Sequence, residues 1–324
     1  MAGWLALLLL AALIDTTSGD RMYAAGQFEQ AAGFYRELLK KFPGELKLLV
    51  RLGASSYQLG FFSEAEKHFR RAATLAPDSA QAEAGLGMSL LALDRPRDAV
   101  PILERALKLA PSDRMALRAL GHAYQKQNDL FRGEPVLESL VREDPQDAES
   151  WFYLGVLLYD SNYYERALAA FHRALELRPA DSQTQIYTAG ALAQMGRTAE
   201  AGNLYRSLTE RQDAAAHPEL WLGYPQFLFE DQQLEPSLQA VNHAIELLPD
   251  SAKLLFWRAR ILMSLGKMEN AESDAERAVK LSPELPNAHN LLMKIYLARG
   301  RTNLADEQVR WLAGHTQIHT AAPL

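Results

Sequence analysis

From residue 20 to about 315 the chain repeats one pattern of small, large and turn-forming positions with a step of 34 residues. Proline marks the step at Pro43, Pro77, Pro111, Pro145 and Pro179, and again at Pro249 and Pro283. Between the prolines, glycine follows leucine at Gly53, Gly87, Gly121 and Gly155. A small residue returns at Ala31, Ala65, Ala99, Ala167, Ala201, Ala271 and Ala305. A ring returns at Tyr35, Phe69, Phe171 and Tyr205, and a later alanine at Ala72, Ala106, Ala174, Ala244 and Ala278. Turn glycines stand at Gly26, Gly60, Gly196, Gly266 and Gly300. Each period predicts a pair of antiparallel helices. Glycine or alanine at a crossing lets two helix axes approach to roughly 8–10 Å, where a larger side chain would overpack the contact at a cost of about 1–3 kcal/mol. The ring fills the wedge between one unit and the next. Proline closes the unit because it cannot continue the preceding helix. Asp78, Ser112 and Asp250, directly after the prolines, are expected to cap the following helices.

The run WFYLGVLLYDSNYYERALAAFHRALELRP, from Trp151 to Pro179, carries nearly every one of these positions. With the register kept over about nine units, the first incomplete, residues 20–315 resemble the tetratricopeptide-repeat family. The resemblance implies an all-α fold, a right-handed superhelical solenoid of antiparallel helix pairs in which the first helix of each pair lines the concave face. No such unit buries its apolar face alone, so neighbours stabilise one another. Two irregularities interrupt the array. Pro179 to Pro249 is 70 residues, two periods plus two, with the missing boundary at Asp213 within ERQDAAAHPE. Pro225 replaces the usual crossing glycine, removes the hydrogen bond to Trp221 and is expected to kink its helix. The pair of irregularities reads either as a tolerated break or as a hinge. The expected divisions are 1–19 as a signal peptide, 20–213 and 214–315 as repeat array, and 316–324 as a tail. The first unit keeps its second helix, Gln27 to Phe42, and little of its first. At the far end, Arg301, Glu307 and Arg310 are the polar residues available to cap the last helix.

Trp4 to Ile14 is an unbroken apolar run of eleven residues. That is short of the roughly 20 needed to span a bilayer and fits the apolar region of a secretory signal, with Thr17 and Gly19 at −3 and −1 before Asp20. No Lys or Arg precedes the run, and a buried N-terminal helix is the other reading. No Cys follows it, which excludes a lipoprotein anchor. With no Asn-x-Ser/Thr sequon, the setting expected is export to a bacterial periplasm or cell envelope, with membrane association only through the N-terminal segment.

Composition narrows the functional classes. A chain that is 48% hydrophobic and 23% charged is not disordered. Thirty-four basic against 40 acidic residues, net −6, argue against a nucleic-acid partner. The absence of cysteine removes disulfides, thiolate metal sites and a cysteine nucleophile. No phosphate-binding glycine loop, nucleophile elbow or zinc-protease motif is present. Gly85-Leu86-Gly87 begins like a dinucleotide loop but falls inside a repeat helix, so it is assigned to packing. His315 and His319 have a metal-compatible spacing with no third ligand, and neither a metal nor a cofactor is expected. The repeats use nearly the whole chain, so no catalytic domain and no enzyme activity are expected.

The family resemblance places groove-facing residues at the second, fifth, ninth and twelfth positions of each unit. These include Arg118 and His122 in the fourth, Phe152 and Tyr159 in the fifth and Ile186 in the sixth. Leu222 and Phe229 follow in the seventh, Phe256 and Arg260 in the eighth, and Asn290 and Lys294 in the ninth. An aromatic middle with a cationic rim suits a peptide or protein partner. The family's chaperone-binding carboxylate clamp is not expected, because its positions hold Val50, Ala54, Ala84 and Met88. The expected function is a non-catalytic interaction scaffold. Two alternatives stay open: an accessory subunit of a membrane or secretion assembly held by an uncleaved N-terminal helix, and a carbohydrate- or small-molecule-binding module using Trp151, Tyr159 and Phe229.

Overall fold

A computed structural model describes residues 15–316. Those residues form eighteen α-helices and one short 3-10 helix, with no strand among them. The chain divides into two compact units, Met1–Pro179 and Ala180–Leu324. The first contains five helix pairs: α1 (Thr17–Ala24) with α2 (Phe28–Lys41), α3 (Leu46–Gln58) with α4 (Phe62–Leu75), α5 (Ala80–Ala92) with α6 (Pro96–Leu109), α7 (Arg114–Lys126) with α8 (Leu130–Glu143), and α9 (Ala148–Asp160) with α10 (Tyr164–Leu177). The second contains four: α11 (Ser182–Gln194) with α12 (Thr198–Thr209), α13 (Pro218–Glu230) with α14 (Leu234–Leu247), α15 (Ala252–Ser264) with α16 (Met268–Leu281), and α17 (Pro286–Ala298) with α18 (Thr302–Thr316). Within each unit, every second helix packs on its own partner and on the first helix of the next pair.

The crossing glycines lie where the period puts them. A Cβ added to Gly87 would sit 2.5 Å from Leu103, and one added to Gly121 would sit 2.6 Å from Leu137. In each case the neighbour lies on the second helix of the same pair. Phe69 shows the wedge directly: it meets Gly53 of its own pair at 3.0 Å and Gly85 of the next at 2.3 Å, both measured to an added Cβ. Gly85 and Gly87 are therefore packing residues within α5. The recurring rings are core, with Tyr35 and Phe171 at 0% exposure.

The helix caps correct one expectation. The side chains that cap first helices are Ser79, Asp113, Asp147, Asp181 and Ser251, each accepting a backbone N–H three residues on, and Asp129 caps the second helix α8 in the same way. Asp78, Ser112 and Asp250 lie in the turn instead, because one more residue is needed before the chain turns into the helix. Backbone strain is shared out more evenly than the glycines suggest. The turn glycines have φ between 71° and 76°, and Asp94, Asn128, Asn162 and Gln232 hold the same turn position with φ of 52° to 66°. Every pair thus closes on one left-handed residue, and only some of them are glycine.

The insertion before α13 is the 3-10 turn Ala214–Ala216, whose Ala214 carbonyl accepts the Trp221 indole N–H at 2.9 Å. Helix α13 continues through Pro225, which is buried and whose carbonyl accepts the Ser237 hydroxyl at 2.7 Å. At the N-terminal end, Gly19 of α1 is buried against Phe34 and Tyr35. The Asp20 carboxylate there receives the Tyr35 hydroxyl at 2.6 Å, the Thr16 hydroxyl at 3.0 Å and the Arg51 guanidinium at 3.0 Å. Burial pushes Asp20 up, but those donors outweigh it and hold the carboxyl below its ordinary value. At the C-terminal end Trp311 lies between His289 and His315, with ring centroids 3.5 and 3.9 Å away and nearly parallel planes. The Trp4 to Ile14 run, His319 and the tail beyond Thr316 lie outside the described residues.

Candidate grooves on the first-helix faces

In the first unit, the first helices α3, α5, α7 and α9 pack side by side. Their shared face carries two adjoining hollows. One, about 240 Å³, is lined by Tyr23, Val50, Ala54, Tyr57, Phe69, Ala84, Gly85, Met88 and Met115, with Gln58, Gln81 and Asp113 at its edge. The other, about 200 Å³, is lined by Tyr57, Met88, Leu91, Met115, Arg118, Ala119, His122, Glu149 and Tyr153. Tyr57, Met88 and Met115 belong to both, so the two read as one groove with an apolar stretch and a polar end. Ala54 and Ala84 make the space, since neither side chain extends beyond Cβ. Met115 is 58% exposed and adds a flexible apolar side chain to the rim of the hollow.

The polar end is a closed network. Arg118 donates to Asp147 at 2.8 Å and to Glu149 at 2.9 Å. Asp147 is also the cap of α9, so one carboxylate ties α7 to α9 and starts the latter helix. Glu149 accepts the Tyr153 hydroxyl at 2.8 Å, and the Tyr153 ring stacks on His122 with centroids 4.2 Å apart and planes within 11°. Burial pushes the Tyr153 hydroxyl up, reinforced by the charge of Glu149 and the bond to it. Burial also holds His122 down at about 4, so it is neutral near pH 7. Arg118 is thus a tie between helices rather than an open cation. Phe152 is half-buried against Phe171 and Tyr153, and Tyr159 packs edge-on to Tyr164 at 5.6 Å.

In the second unit Ile186 is 4% exposed and belongs to the packed interior, while Leu222 is half-buried on α13. Phe256, Arg260, Asn290 and Lys294 do come together, in a cleft of about 440 Å³ with Gln226, Glu230, Trp257, Met263, Asn287 and Leu291. Phe229 adjoins it through the Arg260 guanidinium, 4.8 Å from its ring centroid. Burial pulls Arg260 below its ordinary value, partly opposed by the Glu230 charge.

Two groove residues of importance, Met88 and Tyr57, were within reach of the same position count. Applied to the second and third units it yields Lys47, Val50, Ala54, Tyr57, Gln81, Ala84, Met88 and Leu91, all but Lys47 lining the groove. Their significance lies in being small or apolar, which sequence comparison with a cationic clamp registers only as a mismatch. Tyr153 falls outside the count and is positioned by the Glu149 bond and the His122 stack. No group of three or more His, Asp or Glu able to hold a metal occurs among the described residues.

Comparison with known proteins accords with this architecture. Family models described as the tetratricopeptide repeat match residues 22–88, 84–130, 118–182, 157–218 and 252–285. The human protein O-mannosyl-transferase TMTC1 is 25% identical over 139 residues, covering 42% of this chain and 16% of that protein. Among solved structures, the APC/C hetero-tetramer Cut9-Hcn1 aligns with a TM-score of 0.63 at 14% identity, over 89% of this chain and 56% of that one. The human IFIT1 dimer with m7Gppp-AAAA aligns at 0.57 and 16% identity, over 83% and 68% respectively. These two structural likenesses concern the fold. With helix pairs, crossing residues and matched segments all in one register, the chain belongs to the tetratricopeptide-repeat family.

Proposed function

We propose that this chain is a non-catalytic interaction module that receives a peptide segment or a partner's helix on its first-helix faces. The observation that carries the reading is the first-unit groove, where Val50, Ala54, Ala84, Met88 and Met115 leave an apolar channel open to solvent. Burying that surface under an apolar partner gains roughly 25 cal/mol per Å², and flexible methionines adapt to different side chains. The polar end, where Arg118, Glu149 and Tyr153 already bond one another, bounds that channel on one side. Export to a bacterial periplasm or envelope is part of the proposal and is supported by the Trp4 to Ile14 run. Among the described residues no helix is long and apolar enough to cross a membrane.

The carbohydrate reading has less support. The Trp151 indole N–H is already given to the Pro145 carbonyl at 3.1 Å, and Phe229 is faced by Arg260. The groove reading is tested by selecting binders from a displayed random peptide library and measuring them by fluorescence anisotropy. Met88→Glu and Met115→Glu, each placing a charge in the apolar stretch, are expected to weaken the selected peptides at least tenfold. Variants with unchanged unfolding midpoints and unchanged affinity would remove the groove from consideration. Intact mass of the protein from its host reports on the fate of residues 1–19.

A further inference from the structure

The cation of the first-unit groove is saturated by two carboxylates, whereas Arg260 in the second unit is held in another way. Its guanidinium carbon lies 4.5 Å from the Trp257 ring centroid, 4.8 Å from that of Phe229 and 5.7 Å from that of Phe256. None of the described residues accepts a hydrogen bond from it, and none offers a carboxylate oxygen within 4.0 Å. Rings take up the face of a guanidinium and leave its N–H donors, which lie in its plane, unspent. Arg260 is nevertheless partly removed from water, so these donors are held ready at some cost in solvation.

The rest of the cleft is similarly unengaged. Lys294, Asn287 and Asn290 line it and have no hydrogen-bond or ion-pair partner among the described residues. Glu230 is the one carboxylate in the lining and accepts the Gln226 amide at 2.8 Å. Two cations against one anion leave a single positive charge, which matches one carboxylate better than a phosphate dianion. Side-chain amides beside it suit a peptide backbone.

We propose that this cleft is the receptor for one acidic side chain of a peptide partner, its carboxylate lying between Arg260 and Lys294 while Asn287 and Asn290 hold the adjoining backbone. This rests on the reading that first-helix faces take peptides. Three rings with centroids 4.5 to 5.7 Å from the guanidinium carbon restrict its movement, so the acidic residue is selected by geometry as well as by charge.

The test uses the full chain and a displayed random dodecapeptide library, selected in parallel on wild type, Arg260→Gln and Lys294→Glu. Lys294 is exposed, so the second variant keeps its fold and reverses the charge at the cleft. The wild-type pool is expected to be enriched in Asp or Glu at one position, and both variant pools are expected to lack that enrichment. A synthetic peptide from the wild-type pool should lose at least tenfold in affinity when its acid is changed to the amide, and the amide form should lose little further on Lys294→Glu. Peptides selected without an acidic position would overturn the carboxylate assignment and leave the groove reading standing. Failure of wild type to select any peptide would overturn both. Displacement of the acidic peptide by a phosphopeptide of the same sequence at lower concentration would also overturn it.

Discussion

Gly155 and Gly33 offer the same substitution in two opposite surroundings. Gly155, on α9, faces α10, and an added Cβ would lie 2.4 Å from Phe171 Cε1 and 2.5 Å from Cδ1. Carbon atoms in favourable contact sit roughly 3.5–4.0 Å apart, so the ring must move by about an ångström. Phe171 is 0% exposed and lies against Phe152, so that movement disturbs other packed groups. Gly33, inside α2, has nothing within 4 Å of an added Cβ. Replacing glycine by alanine within a helix gains about 0.5–1 kcal/mol from reduced backbone freedom, and this gain applies at both sites. Gly33→Ala is expected to stabilise by that amount. At Gly155 an overpacking cost of about 1–3 kcal/mol acts against it. The difference between the two variants isolates the helix crossing, because the propensity gain cancels. Repeat arrays can open locally, so amide hydrogen exchange of α2 and of α9–α10 is the measurement, with urea unfolding beside it. Equal stabilisation by both variants would show that the crossing tolerates a Cβ and that the packing account is mistaken.

Further outcomes follow from the turns and the titrating groups. Gln232→Gly relieves a left-handed non-glycine residue and should raise the unfolding free energy by up to about 1 kcal/mol, whereas Gly60→Ala should lower it by about 1–2; urea midpoints decide both. His122 should titrate by NMR at about 4, well below 6.5. Because its folded value is depressed, its contribution to stability is full above pH 6.5 and is lost as the pH falls through about 4, and His122→Phe should flatten that part of the stability–pH curve. Tyr35→Phe removes a donor to Asp20 and should cost about 1.5–3 kcal/mol. The same change should move the Asp20 titration upward, read from its carboxyl carbon shift.

The array was legible because its constraints are local and repeated. A crossing that admits no Cβ, a wedge that needs a ring and a turn that needs a left-handed residue each recur at one spacing, as at Gly87, Phe69 and Gly60. The turns at Asp94, Asn128, Asn162 and Gln232 were less visible, since polar residues can adopt that conformation without announcing it. The groove was half legible. Counting positions located Arg118 and Arg260 alike, but whether a cation is spent or free depends on what the next helix places opposite it. Asp147 and Glu149 face Arg118, while Arg260 meets rings. Ile186 shows the same limit, because its burial is decided by neighbours distant in sequence.

The cleavage expected after Gly19 and the first helix pair would call on the same residues. Thr16 to Gly19 have the composition of a cleavage region, yet Gly19 packs on Tyr35 and Thr16 bonds Asp20. A peptidase needs such a segment extended in its own cleft, and a segment coiled into α1 is not available to it. A cut after Gly19 leaves only Asp20–Ala24 of α1, little more than one turn, without the Thr16 bond. Were the proposed signal cut after Gly19, the cut would have to precede folding of α1: a chain held unfolded until then would lose the first half of its first pair, whereas one that folds beforehand would shield that bond.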